Sequence, residues 1–298
     1  MQLTKINGNT YYLPAPTNIG VFQFKDKYTL LIDTGDNNQQ ARKIADALQA
    51  NNLNAKYIVN THNHIDHAGG NLFWREHFPG TYFYASAQEK LFLENNYFFS
   101  MYLYGGNAPR ELSRHFLKSK TFEVDEVLAP GNCRVNDERF DVIPLAGHAP
   151  EQIGIGTRDR VCFLGDALFS REIIAKYSFP FLFDIEAQLN SYMTIKELDY
   201  DFYVIGHAAQ IYNPEQIREL VQFNLDNLQY YLDMALDLFT QPHTREELLE
   251  EICILAELPF DYKEYYFSLA TVGAIITYLH DKGELNYQLE NGKLYYYK

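Results

Sequence analysis

The chain has 298 residues, 39 acidic and 25 basic side chains and a formal net charge of −14, so DNA, RNA and anionic membranes are disfavoured as partners on charge alone. Hydrophobic residues make up 47% and charged ones 21%, a globular composition that excludes a disordered or fibrous chain and predicts one large domain or a domain with an appendage. No run of about 18 apolar residues is present, and Met1 to Gly8 lacks the apolar core of a secretory signal, so a soluble, cytoplasmic protein is expected.

Tyr11–Leu13, Gly20–Phe24 and Tyr28–Ile32 alternate as strands, with Asp26-Lys27 as a tight turn between the last two. Ala41, Ile44, Ala45 and Leu48 fall at helical spacing over Asn37–Ala50, and Tyr57–Val59 is the next strand. Antiparallel strands followed by a strand-helix-strand unit predict a mixed α/β sandwich. Ala85–Leu117 is helical and rich in aromatic residues, broken at Gly105–Pro109. Strands return at Val127-Leu128, Phe140–Ile143, Gln152–Ile155 and Val161–Leu164, then a helix at Ile185–Leu198 and a strand at Phe202–Ile205. Pro214 opens a long amphipathic helix to Leu238. Thr244-Arg245-Glu246-Glu247 is a capping box that starts another helix, and a further one spans about Tyr262–His280. Asn291-Gly292 between Leu285–Leu289 and Lys293–Tyr297 predicts a terminal hairpin. Cys133, Cys162 and Cys253 are odd in number and form no CxxC, so neither a disulfide framework nor a thiolate zinc site is expected, and Cys162 reads as a buried, inert thiol.

The chemistry concentrates in Thr61-His62-Asn63-His64-Ile65-Asp66-His67-Ala68-Gly69-Gly70, directly after the strand Tyr57–Val59. Packing explains three imidazoles and a carboxylate in six consecutive residues poorly. In an extended segment His62 and His64 point the same way and can reach one metal ion. Asp66 and His67, beyond a bend, can reach a second. Imidazole and carboxylate donors without thiolate suit Zn²⁺, and also Fe or Mn.

This HxHxDH segment resembles the signature of the metallo-β-lactamase superfamily, and the family's other motifs follow the same order over roughly residues 10–212. Leu31-Ile32-Asp33-Thr34-Gly35 resembles the first motif, Leu145–Pro150 the third, Phe163-Leu164-Gly165-Asp166 the fourth and Val204-Ile205-Gly206-His207 the fifth. The resemblance implies an αββα four-layer sandwich over residues 1–212, with a helical insertion at about 85–120 and a helical, winged-helix-like module at 213–298. It implies two divalent ions, most simply Zn²⁺. His62, His64 and His148 would hold the first, Asp66, His67 and His207 the second, and Asp166 would bridge them. A bridging water whose pKa falls toward about 7 would be the nucleophile. Asp66 would also handle its proton, and Asp33 would support the metal loop from behind.

Beyond these residues, Tyr97–Tyr104 and Tyr177–Phe183 are candidates for a pocket wall, Lys176 and Tyr177 for substrate contact, and His115 for holding an anionic substrate group. His77 reads as a packing or surface residue. Residues 241–298 carry 5 basic and 10 acidic side chains, 5 − 10 = −5, so the tail is expected to cover the catalytic domain or mediate self-association as a homodimer rather than read DNA. The expected activity is glyoxalase II-like hydrolysis of a small thioester or ester. Phosphodiester or RNA hydrolysis is the alternative, followed by an iron-dependent dioxygenase and by a non-catalytic, metal-stabilised interaction protein.

Overall fold

The computed structural model of the protein describes residues 1–116, 122–259 and 261–298, with His115 and Phe116 described by backbone alone. A seven-stranded sheet runs in chain order from β1 (Thr4–Asn7) through β2 (Thr10–Leu13), β3 (Ile19–Gln23), β4 (Tyr28–Ile32), β5 (Asn54–Val59) and β6 (Tyr82–Ala85) to β7 (Glu126–Val127). Its first four strands are antiparallel and its last four parallel. A five-stranded sheet follows from β8 (Gly131–Val135), β9 (Glu138–Pro144), β10 (Ile153–Thr157), β11 (Val161–Phe163) and β12 (Phe202–Val204).

The layers follow from the period-two alternation of each strand. In β4, Leu30 and Ile32 face the apolar cluster between the sheets, which also holds Phe22, Phe140, Ile155 and Phe163. Leu31 points the other way, onto α1 (Asn38–Ala50), whose Ala41, Ile44 and Leu48 are buried, and α3 (Asn71–His77), whose Trp74 is buried. In the second sheet Cys162 and Tyr203 face outward, onto α8 (Ile185–Glu197) and α9 (Pro214–Leu238). Helix, sheet, sheet and helix therefore form the expected αββα sandwich. Cys162 is fully buried, and burial pushes its thiol pKa well up, which keeps it unreactive.

Between β5 and β7 lie α2 (Ile65–Ala68), α3, and the helices α4 (Ala87–Glu94), α5 (Tyr97–Tyr104) and α6 (Arg110–Phe116). Gly105, left-handed at φ 79°, caps α5 where the sequence predicts the break. After β11 comes the short α7 (Arg171–Lys176). The tail comprises α9, α10 (Arg245–Leu255), α11 (Tyr262–Asp281) and the hairpin β13 (Asn286–Glu290) and β14 (Lys293–Tyr297). Asn291 and Gly292 both have positive φ, as a two-residue hairpin requires. One apolar cluster joins Leu145, Leu164 and Tyr192 to Val221, Leu248, Val272 and Leu285, so the tail packs on the second sheet's helical layer. None of the described helices is long and apolar enough to cross a membrane.

Candidate metal centre

Five chain segments converge just beyond the C-terminal ends of β4, β5, β9, β11 and β12. They are locked together by main-chain hydrogen bonds: Ile153 donates to Thr61, Gly206 to Gly165, Thr34 to His67 and Asn18 to Gly206, all at 2.7–3.0 Å. The convergence places all seven ligands expected from the sequence in two adjoining groups. His62, His64 and His148 form one, and Asp66, His67, Asp166 and His207 the other; within each, one donor atom per residue lies within 4.8 Å of all the rest. His148 Nε2 is 2.9 Å from His64 Nδ1. His207 Nε2 lies 2.9 Å from Asp66 Oδ2 and 3.2 Å from Asp166 Oδ2, and His67 Nε2 lies 3.2 Å from Asp166 Oδ1.

The imidazoles are aimed by their far nitrogens. Nδ1 of His148 sits 3.0 Å from the Phe181 carbonyl, Nδ1 of His207 2.6 Å from the Pro16 carbonyl and Nδ1 of His67 2.7 Å from Asp33 Oδ2. A carbonyl or carboxylate there fixes the proton on Nδ1 and leaves Nε2 as a lone-pair donor toward the centre. His62 Nδ1 lies 3.0 Å from Thr61 Oγ1, while its Nε2 is buried with no hydrogen-bond partner. A buried nitrogen left so is costly unless something binds it, and a cation fits that position. Asp33 is the hub behind the loop. It accepts from the Thr61 backbone N–H and hydroxyl, both at 2.8 Å, besides its contact with His67. Its left-handed φ of 67° is an uncommon backbone state for a residue other than glycine.

The two groups differ in charge. Burial lowers the pKa of His62, His64 and His148, keeping them neutral donors. Burial also acts on His67, but the carboxylates of Asp166, Asp33 and Asp66 outweigh it and raise its pKa well above the usual value. Asp166 does the same to His207, up to about 10. Burial opposes ionisation of Asp66 and Asp166, yet the surrounding imidazoles win and both stay below the usual carboxylate range. The second group thus pairs two carboxylates with two protonated imidazoles, whose protons a divalent cation can replace. Gly206 closes it from below: a Cβ there would stand 2.0 Å from Asp166 Oδ1.

A cavity of 480 Å³ opens on the centre, lined by His64, Asp66 and His207, by Phe99 of α5, by Tyr177, Phe179 and Phe181, and by Lys263, Glu264, Phe267 and Ser268 of α11. A second cavity, also 480 Å³, reaches Asp66 and His207 from the other flank and is lined by Pro16, Thr17, Asp36, Asn37, Gln39, Gln40 and Lys43. Of the expected substrate residues, Tyr177 lines the aromatic cavity. Lys176 does not, and its ammonium lies 4.7 Å from the Tyr177 ring. The His115 side chain falls outside the described residues. His77 stacks on Phe73 at 4.5 Å, away from the centre. The α11 wall is absent from the sequence expectations, since its residues share the apolar period of any packed helix.

A family model described as the metallo-beta-lactamase superfamily matches residues 12–207. A hydroxyacylglutathione hydrolase of Haemophilus influenzae is 28% identical over 195 residues, covering 62% of this chain and 82% of that protein. Another, of Blochmanniella pennsylvanica, is 29% identical over 150 residues, half of this chain and 46% of its own length. A solved beta-lactamase domain protein from Burkholderia ambifaria shares the fold over 99% of this chain and 93% of its own, with a TM-score of 0.76 at 15% identity.

Proposed function

The chain belongs to the metallo-beta-lactamase superfamily, and from that premise we propose that it is a dinuclear metallo-hydrolase acting on a small thioester or ester. The observation that carries this reading is the pair of adjoining donor groups, three neutral imidazoles beside two carboxylates and two imidazoles. His62, His64 and His148 would hold one divalent ion, Asp66, His67 and His207 the other, with Asp166 between them. Bound there, the ions supply a nucleophilic water at neutral pH and polarise the acyl oxygen. Zinc suits the donor set best, and iron or manganese is also accommodated by it.

The chain's own part is orientation and proton handling. Asp33, Thr61 and the carbonyls of Pro16 and Phe181 hold the imidazoles in one tautomer and one direction. Asp66 is half-buried, with 38% of its side chain exposed against 7% for Asp166, and it lines both cavities. Its Oδ2 accepts from Thr17 Oγ1 at 3.5 Å. In this reading Asp66 takes a proton from the attacking water and passes one to the leaving group. The hydroxyacylglutathione hydrolase relatives support a thioester as the first substrate to try.

Metal-replete protein is expected to carry two equivalents of zinc and to hydrolyse members of a thioester panel. Asp66→Ala should lower turnover about 10²–10⁴-fold while the melting temperature barely moves. A single firm equivalent of metal, or near-normal kcat in Asp66→Ala, would overturn the dinuclear reading.

A further inference from the structure

The two cavities that meet at Asp66 and His207 are chemically unlike. On one flank, Phe99 and Phe181 lie against the His64 ring at 4.9 and 5.5 Å, and Phe169 and Phe181 against His148 at 5.5 and 5.8 Å. Phe267 of α11 closes this cluster, 5.1 Å from Phe181 and 5.8 Å from Phe99. Apolar rings therefore begin where the imidazole donors end. Phe99, Phe169 and Phe179 are each under 10% exposed, so the inner wall of this flank is packed rings, while Tyr177 is exposed. Its one ammonium, Lys263, is offset by Glu264 at 3.4 Å. Among the described residues, the other flank carries no aromatic ring besides the His207 imidazole: Met1 and Pro16 stand beside the hydroxyl, amide, carboxylate and ammonium groups of Thr17, Gln40, Asp36 and Lys43, and Asn37, Gln39 and Lys43 are exposed.

A substrate whose reacting carbonyl sits at the centre must place one half on each side. The thiol half takes up a proton and departs first, and the flank with exposed Asn37, Gln39 and Lys43 gives it an exit to water, while the acyl half stays at the centre until its carboxylate is released. The half that lies against Phe99, Phe181 and Phe267 gains by being apolar and by offering a ring edge or face to them. We propose that the aromatic cavity takes the acyl half of the substrate and that this half carries an apolar, ring-sized body such as a phenyl group, with Phe267 as a specificity-determining residue supplied by the tail. The proposal rests on the hydrolase reading above. At 480 Å³ the cavity falls within the usual range for small-molecule sites, about 300–1,000 Å³.

The test compares three thioesters on the zinc-loaded chain: S-acetyl-N-acetylcysteamine, S-phenylacetyl-N-acetylcysteamine and S-benzyl thioacetate, which carries its ring on the thiol instead. The phenylacetyl compound should exceed the acetyl one in kcat/KM by at least about tenfold. Phe267→Ala should erase most of that ratio by lowering the phenylacetyl rate far more than the acetyl rate, with Phe267→Leu intermediate. Equal rates for the two acyl groups, a ring preferred only on the thiol, or equal losses on both acyl groups in Phe267→Ala would each overturn the assignment. If no thioester is hydrolysed, the hydrolase reading fails separately. Saturation-transfer NMR with phenylacetamide then decides the cavity: binding that Phe267→Ala abolishes supports the ring site, and binding that is absent or undiminished overturns it.

Discussion

Glu89 is a fully buried carboxyl group that ties the loop of His62 and His64 to the loop of His148. Its Oε2 accepts from the Asn63 backbone N–H at 2.8 Å and from the Asn63 side-chain amide, and its Oε1 accepts from the Glu151 N–H at 2.9 Å. Burial, only partly offset by these donors, pushes its pKa from 4.5 up to about 7. The folded chain thus holds a proton that the unfolded chain releases. The stability this group contributes is complete below pH 4.5 and is lost as pH rises through 7, by about 3 kcal/mol at most. Glu89→Gln cannot titrate. Urea unfolding at pH 5 and pH 8 should therefore show wild type losing stability relative to the glutamine variant across that interval. Parallel behaviour would mean that Glu89 stays ionised throughout. The contrast with the ligands marks how far single residues can be read from sequence. His62, His64, Asp66 and His67 identify themselves because they are neighbours in the chain. Glu89 sits in an ordinary polar helix, and its burial comes from partners 26 and 62 positions away.

Elements whose ends carry their own chemistry are where sequence and structure agree best. The box at Thr244 is formed as predicted: Glu247 N–H donates to Thr244 Oγ1 at 3.2 Å, and Thr244 N–H donates to the Glu247 carboxylate at 2.9 Å. Thr244→Ala should cost about 1 kcal/mol. Because α10 lies against α11, the loss should appear as a lowered unfolding midpoint with metal content unchanged. A midpoint equal to that of wild type would show that packing alone holds α10. Strand β8 shows the opposite case. Gly131, Asn132 and Arg134 are exposed and Cys133 half-buried, so this edge strand has no hydrophobic alternation to detect and exists because β9 offers it hydrogen bonds. The helix at Tyr262–Asp281 is legible as a helix, but nothing local states that its first turns face a metal loop two hundred residues earlier.

Across the whole molecule the strand and helix patterns made a mixed α/β sandwich legible, and the αββα layering followed from the resemblance that the five motifs carry. The tail's position over the centre was not legible, since its apolar face suits a neighbouring domain or a second copy equally well. Overall charge separates two uses of the same centre. Binding single-stranded RNA takes cations along a track, with log K falling by roughly 0.7 per neutralised phosphate per decade of salt. The chain carries −14, and its local basic cluster of Arg110, Arg114, Lys118 and Lys120 includes Glu111, with both lysines outside the described residues. No binding of single-stranded RNA should be measurable at about 0.15 M salt, where the Debye length is about 8 Å. Micromolar binding with a steep salt slope, together with RNA cleavage lost in His62→Ala, would make the phosphodiesterase the better reading.

The wall that α11 contributes has a consequence for how the protein is made. The last of the seven donors is His207 and the closing ring is Phe267, so 267 − 207 = 60 residues separate them in synthesis. At about 5–20 residues per second, a ribosome needs roughly 3–12 s to cross that interval. During it, the nascent chain owns every metal donor while Phe99 and Phe181 still lack the ring that covers them. Assembly of the donor groups can thus precede closure of the aromatic cavity on the ribosome, and for those seconds the rings beside the centre lack the cover that Phe267 gives them.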